Sequence, residues 1–241
     1  MNKQKIYSIL KKYDQKRPEA ERNLDQFWAT NETVYKRAKI LSSIENIKNK
    51  KIIFLGDDDL TSVYFSLMNS AKEVAVVDID ERIINYIQNI SDNENLKIKT
   101  KIWDLRNPLP KEEFKDYDIA FFDPAYTPQG VTTWLKSCIE ATLGGKLNKE
   151  RKNPNILTEK KYYLCYGYTD HSAERGLKIQ EIITNFGMII QAKIRDFNEY
   201  IGAKSINSKS DLYILIPTPK INIVKSDKIR SDFYTGFKNK R

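Results

Sequence analysis

Lys51-Ile52-Ile53-Phe54-Leu55-Gly56-Asp57-Asp58-Asp59-Leu60-Thr61-Ser62 decides how the rest of the chain is read. Four apolar residues run into one glycine, three carboxylates and a Thr-Ser pair suited to starting a helix. A short apolar run stopped by a turn residue is the pattern of a strand buried on both faces, as parallel sheets require. The texture recurs in EVAVVD (73–78), LKIKTKI (96–102), YDIAFFD (117–123), KYYLCYG (161–167), GMIIQAKI (187–194) and DLYILI (211–216). Helical periodicity fills the gaps between the first four runs, through Val63, Leu67 and Met68 and then Ile83, Ile84, Ile87 and Ile90. Strand and helix in alternation imply parallel strands joined by right-handed crossovers.

Outward from this block, residues 1–50 read as a helical extension, with Ile6, Ile9, Leu10 and Tyr13 at helix spacing and Pro18 breaking the pattern. Residues 146–160, polar and basic around Pro154, read as an exposed insertion. Pro217 and Pro219 end the last strand, and a basic tail follows to residue 241, carrying Phe233, Tyr234 and Phe237. The expected organisation is one catalytic domain over 51–216 flanked by the extension (1–50) and the tail (217–241). No apolar run approaches the roughly 18 residues that span a bilayer, and the N-terminus lacks the pattern of a secretory signal. A cytoplasmic protein with no membrane contact is expected, with a homodimer as its assembly. Cys138 and Cys165 stand apart from any Cys/His cluster and read as buried thiols, so no metal centre is expected.

Net charge is +9 over 241 residues, but its distribution reverses in the middle. Residues 1–50 hold 12 basic and 6 acidic side chains, residues 51–130 hold 9 and 15, and residues 131–241 hold 20 and 11. The central block is therefore an acidic site inside a basic protein, suited to attracting cations locally.

In an open parallel sheet, ligands bind beyond the carboxyl ends of the strands. Acids stand at that edge four times: Asp57, Asp58 and Asp59 after the first strand, Asp78 with Asp80 after the second, Asp104 after the third and Asp123 after the fourth. The architecture this describes is an α/β, Rossmann-like fold of the class I methyltransferase type, with a mostly parallel seven-stranded sheet and helices on both faces. Asp78 lies 22 residues beyond Gly56, near the offset at which an acid accepts from ribose hydroxyls. Asp104 is placed to accept from an adenine amino group beside Trp103 or Leu105.

The first turn selects among adenosyl ligands. Phosphate-binding turns are glycine-rich and free of acids. Here three aspartates follow one glycine, and each like-charge contact at about 4 Å costs on the order of 4 kcal/mol at an effective dielectric near 20. A dinucleotide is disfavoured, and so is the carboxylate of S-adenosylmethionine, whereas a cationic aminopropyl sulfonium fits. The same acids suit a polyamine acceptor, which must lose a proton before attacking carbon. Asp57 is the first choice for the base, and a metal held by Asp57, Asp58 and Asp59 is the rival chemistry.

Taken together, LGDDDLTS, VVDIDERII, WDLRNPLP, FDPAYT and RDFNEY resemble the branched-chain polyamine synthases. Arg17-Pro18-Glu19, Asp25-Gln26 and Thr30-Asn31-Glu32-Thr33 resemble the segment that precedes the catalytic domain in that family. The resemblance implies aminopropyl transfer from decarboxylated S-adenosylmethionine, as co-substrate and with no metal, to a spermidine-like polyamine, releasing methylthioadenosine. It implies the motif from Gly56 to Asp59 as the source of the catalytic carboxylates Asp57, Asp58 and Asp59, with Asp78 and Asp104 holding the nucleoside; Asp123 is read beside them as catalytic, and Gly56, Asp80 and Gln26 as lining the nucleoside site. For the acceptor it favours Glu199 holding a remote ammonium, with Tyr126 and Tyr168 as aromatic faces. Two departures stand out: relatives usually begin with a winged-helix domain, for which this chain starts too late, and Asp123-Pro124-Ala125-Tyr126-Thr127 replaces their Asp-Pro-Pro-Glu-Thr.

Two other classes compete. Asp-Pro-Ala-Tyr approximates the Asp-Pro-Pro-Tyr of amino-methylating enzymes that flip a base, which would make nucleic acid the partner of the basic flanks; the acidic first turn disfavours this. A sensor that only binds an adenosyl ligand or polyamine is the third class, disfavoured by intact carboxylates at every strand end. His171, the sole histidine, sits in Thr169-Asp170-His171-Ser172; neighbours in sequence do not readily form a triad, and the loop reads as a helix cap.

Overall fold

The computed structural model describes residues 1–144, 147–150, 152–223 and 233–234. Seven strands form one sheet: β1 (Lys51–Leu55), β2 (Glu73–Asp78), β3 (Ile98–Ile102), β4 (Ile119–Phe122), β5 (Lys161–Tyr166), β6 (Met188–Glu199) and β7 (Lys209–Pro217). Their order is β3-β2-β1-β4-β5-β7-β6. The first five are parallel, with Phe54 in register with Val76 on one side and Phe121 on the other, and β7 runs antiparallel to both β5 and β6. Chain direction along the sheet reverses between β1 and β4, so the ligand crevice of such a fold falls at Gly56 and Asp123.

The helices are α1 (Lys3–Lys11), α2 (Asn31–Ser42), α3 (Thr61–Met68), α4 (Glu81–Asn93), α5 (Pro128–Leu143), α6 (Leu147–Glu150), α7 (Pro154–Thr158) and α8 (Ala173–Asn185). Alternation along β1 sends Ile52 and Phe54 into one core layer with Val63, Phe65 and Ile87, and Ile53 and Leu55 into the other with Leu135, Ile139 and Ile183. Both cysteines are buried and free. Among the described residues, no helix is long and apolar enough to cross a membrane.

Two sequence expectations are corrected. Residues 1–50 are not helical throughout: α1 and α2 are separated by short 3₁₀ turns and extended chain around Pro18, because proline and the residues that follow give no continuous apolar stripe. The 146–160 segment is not simply exposed. It contains α6 and α7, Leu157 is buried, and the buried Lys160 Nζ donates to the Tyr117 carbonyl and to Asp118 Oδ1; residues 146 and 151 lie outside the described residues.

The chain between α1 and α2 is what positions the site. Ala29 bridges antiparallel to Tyr200, with Thr30 N–H donating to the Glu199 carbonyl and Ile201 N–H to that of Trp28. This clamp holds Asp25, Gln26 and Phe27 over the carboxyl edge of the sheet.

Candidate active site

The turn after β1 is made by Gly56, whose φ of +72° lies in the left-handed region and whose N–H donates to the Val77 carbonyl. A Cβ there would also meet Trp134 Nε1 at 3.3 Å, and that nitrogen already donates to the Leu55 carbonyl. The three aspartates that follow diverge. Asp57 turns inward, its Oδ2 accepting from Ser62 N–H at the start of α3 at 3.0 Å. Burial pushes its carboxyl up to about 8. Asp59 is also buried, accepting from Ala29 N–H and from Arg37 Nη1 at 2.8 Å. Asp58 alone of the three lines both halves of the crevice, and its carboxylate accepts no hydrogen bond from any described residue. Burial and the negative charges of Asp59, Asp78 and Asp123 hold it well above the usual carboxylate range. Divergence on this scale separates the triplet's oxygens, and among the described residues no group of three or more His, Cys, Asp or Glu side chains is arranged to hold a metal ion.

Two clefts meet at Asp58. One, of about 530 Å³, is walled by Gly56, Asp78, Gln26, Trp103, Leu105, Trp134, Phe233 and Tyr234. The other, of about 1040 Å³, is walled by Phe27, Asp59, Pro124, Tyr126, Arg175, Tyr200, Ala203 and Ile206. Asp25, Asp58 and Asp123 line both. The first cleft thus holds four aspartates, at 25, 58, 78 and 123, and among its described lining residues no Lys or Arg.

Asp78 accepts from Asp57 N–H at 3.1 Å and Asp80 N–H at 2.8 Å, and burial nonetheless raises it to about 6. Asp80 caps α4 and binds the Arg82 guanidinium and Gln26 Nε2, so it orients Gln26 instead of lining the cleft. Asp104 is likewise outside the lining. Arg106 takes both its oxygens at 2.6–2.9 Å, and that cation holds the carboxyl below its usual range despite partial burial. The expected adenine contact at this corner therefore falls to its neighbours Trp103 and Leu105. From the tail, Phe233 stacks on Trp134 with centroids 5.1 Å apart, and its carbonyl accepts from Thr127 Oγ1.

Arg37 is the feature sequence reasoning missed. It is fully buried on α2 and donates to Asp59 Oδ2 at 2.8 Å, Asp123 Oδ2 at 2.7 Å, Asn198 Oδ1 at 2.7 Å and Tyr200 Oη at 2.9 Å. Tyr200 in turn donates to Asp123 Oδ2 at 2.6 Å, and Tyr126 donates to Asp123 Oδ1 at 3.1 Å. Burial raises Asp123, with Arg37 pulling in the opposite direction. The available signal was an arginine on the apolar face formed by Val34, Ala38 and Leu41, where it demands buried carboxylates.

Tyr126 lines the second cleft, its ring centroid 4.8 Å from that of Tyr166 with the planes tilted by 37°. Glu199 is exposed and lines neither cleft, because alternation at the end of β6 turns its neighbours Asn198 and Tyr200 inward. Tyr168 lines a separate polar cleft with Asp170, Arg195 and Asp196, and its hydroxyl accepts from Lys193. His171 is exposed in a 3₁₀ turn within the Thr169–Ser172 capping box.

Comparison with known proteins gives this arrangement its family. A sequence model of the branched-chain polyamine synthase A C-terminal domain matches residues 5–239. The N(4)-bis(aminopropyl)spermidine synthase of Thermococcus kodakarensis is 33% identical over 234 residues, covering 92% of this chain and 61% of that protein. The chain spans little more than half the length of the curated relatives it matches. The Thermus thermophilus branched-chain polyamine synthase, solved in complex with N4-aminopropylspermidine and 5′-methylthioadenosine, has a TM-score of 0.76 at 21% identity, over 98% of this chain and 68% of that one. A proposed RNA methyltransferase of Pyrococcus horikoshii gives 0.61 at 16% identity, over 90% and 100%. At these identities the two structures speak for a shared methyltransferase-type fold. With a family match that spans nearly the whole sequence, the chain belongs to the branched-chain polyamine synthase A C-terminal domain family.

Proposed function

We propose that this chain transfers the aminopropyl group of decarboxylated S-adenosylmethionine to a polyamine amine and releases methylthioadenosine. The observation that carries the reading is the charge of the first cleft, four aspartates with no Lys or Arg among its described lining residues. A sulfonium with an ammonium arm is stabilised there, whereas a donor retaining its carboxylate is repelled. The adenosyl ring lies among Trp103, Leu105, Phe233 and Tyr234, with Asp78 accepting from the ribose. The acceptor lies in the second cleft, whose amine end meets the donor's propyl arm at Asp58 and Asp123.

In the reaction, the acceptor nitrogen's lone pair forms a bond to the propyl carbon attached to sulfur. The carbon–sulfur bond breaks, and its electron pair neutralises the sulfonium as the thioether of methylthioadenosine. The surplus N–H proton leaves through Asp58, which replaces Asp57 as the base in this reading. Asp58 opens to both clefts, while Asp57 is committed to the α3 amides. Arg37 fixes the Asp59 and Asp123 carboxyl groups by hydrogen bonds, so the groups that face the cation are oriented before it arrives. Incubation with spermidine and either donor, read by mass spectrometry, tests this: methylthioadenosine and an aminopropylated amine support it, while S-adenosylhomocysteine would support methyl transfer instead.

A further inference from the structure

Arg175 is the sole Lys or Arg among the described residues lining the two joined clefts. It lies in the first turn of α8, where the helix dipole already presents positive charge and disfavours a cation. It has no ion-pair partner among the described residues. It is exposed, as is Ser205, and these two mark the mouth of the second cleft, whose buried and half-buried depth holds Asp25, Asp58, Asp59 and Asp123. Tyr126, which lines the same cleft, donates to Asp123 Oδ1 and packs against Tyr166 with ring centroids 4.8 Å apart. The lining of this cleft thus joins carboxylates, the apolar and aromatic surfaces of Tyr126, Pro124 and Ile206, and one exposed cation.

From the exposed placement of this cation against the less exposed aspartates we infer that Arg175 is a specificity-determining residue, a charge filter on the length of the acceptor. The inference rests on the proposed aminopropyl transfer. Ammonium groups that fit within the acidic depth are held, and one that extends to the mouth meets like charge. The preferred acceptors are therefore those whose charges end inside the cleft, and longer polyamines with a further ammonium at the mouth are discriminated against.

The test uses a ladder of linear di-, tri- and tetraamines as acceptors, with wild type, Arg175→Ala, Arg175→Glu and Arg175→Lys. One unit-charge contact at about 4 Å in water corresponds to about fivefold. Removing the cation should raise the kcat/KM ratio of tetraamine to diamine about fivefold, reversing its sign about 25-fold, and Lys should preserve the wild-type ratio. Salt should raise the tetraamine-to-diamine ratio of kcat/KM in wild type and lower it in Arg175→Glu, because screening weakens the repulsion at the mouth in one and the attraction there in the other. The KM for the donor should not follow this order, which separates a filter from a general disturbance of the site. A ratio that stays constant across the variants, or falls in Arg175→Glu, overturns the inference. If wild type forms no methylthioadenosine, the proposed reaction fails, and the same ladder is read by calorimetric binding, where the same ordering is expected. Amine binding that is absent, or indifferent to residue 175, overturns the filter as well.

Discussion

Replacing Arg37 by Gln removes one charge from a site holding at least two buried opposite charges. The guanidinium makes four hydrogen bonds of 2.7–2.9 Å, two of them to the carboxylates of Asp59 and Asp123. Net contributions of hydrogen bonds to charged groups are about 1.5–3 kcal/mol each, but they are not additive around one group. Removing one partner of a buried ion pair costs about 3–5 kcal/mol, chiefly because the remaining charge is left uncompensated. We take about 4 kcal/mol for Arg37→Gln at pH 8, which corresponds to a fall in Tm of roughly 8–16 °C for a chain of this size. The loss should shrink toward pH 5, since burial already raises Asp123 and, without the opposing guanidinium, its carboxyl takes up a neutralising proton more readily. Arg37→Lys retains the charge without the planar fork and should fall between. Urea denaturation at both pH values measures this. A loss below about 1 kcal/mol at pH 8, or a greater loss at pH 5 than at pH 8, would refute the hub.

Three further outcomes follow from the site. Asp58→Asn should lower kcat by about 10²–10⁴-fold while methylthioadenosine binding, followed by calorimetry, is retained; Asp57→Asn should lower kcat less than tenfold at neutral pH, because Asn imitates the protonated acid that burial favours there. Asp57 and Asp78, at about 8 and about 6, hold protons in the folded state that the unfolded chain releases near pH 4, so their contribution makes stability fall as pH rises from about 4 to 8. Melting curves across that range should show the trend, and Asp57→Asn should flatten it above pH 6; an unchanged slope in the variant would count against the burial of Asp57. Gly56→Ala meets both a left-handed backbone and Trp134 Nε1, and should cost about 1–2 kcal/mol in denaturant with weakened nucleoside binding.

The sheet was legible because its first strands are buried on both faces and carry uninterrupted apolar runs, as at 52–55 and 74–77. The acids at strand ends were legible for the same reason, since a strand's end fixes where its next residue stands. What a side chain meets across space was not. Arg37 and Asp123 are 86 positions apart, and nothing local joins them. Asp104 carries its own masking cation two residues away, a pairing that spacing allows but does not require. In Arg195-Asp196-Phe197-Asn198-Glu199-Tyr200, irregularities in β6 pairing with β7 between Ile194 and Asn198 decide which residues face inward, and that parity is set by the bulge, not by the residue types. Phe233 and Tyr234 stood out as aromatics in a basic tail, but nothing local in the sequence places them against the cleft they line.

The central claim concerns charge in the first cleft, and donor affinity tests it most directly. Calorimetric titration at pH 8 with decarboxylated and intact S-adenosylmethionine compares ligands that differ by one carboxylate. A single like-charge contact at about 4 Å costs from about 1 kcal/mol in bulk water to about 4 kcal/mol at an effective dielectric near 20. The decarboxylated donor should therefore bind at least about fivefold more tightly; equal or tighter binding of the intact donor would contradict the account.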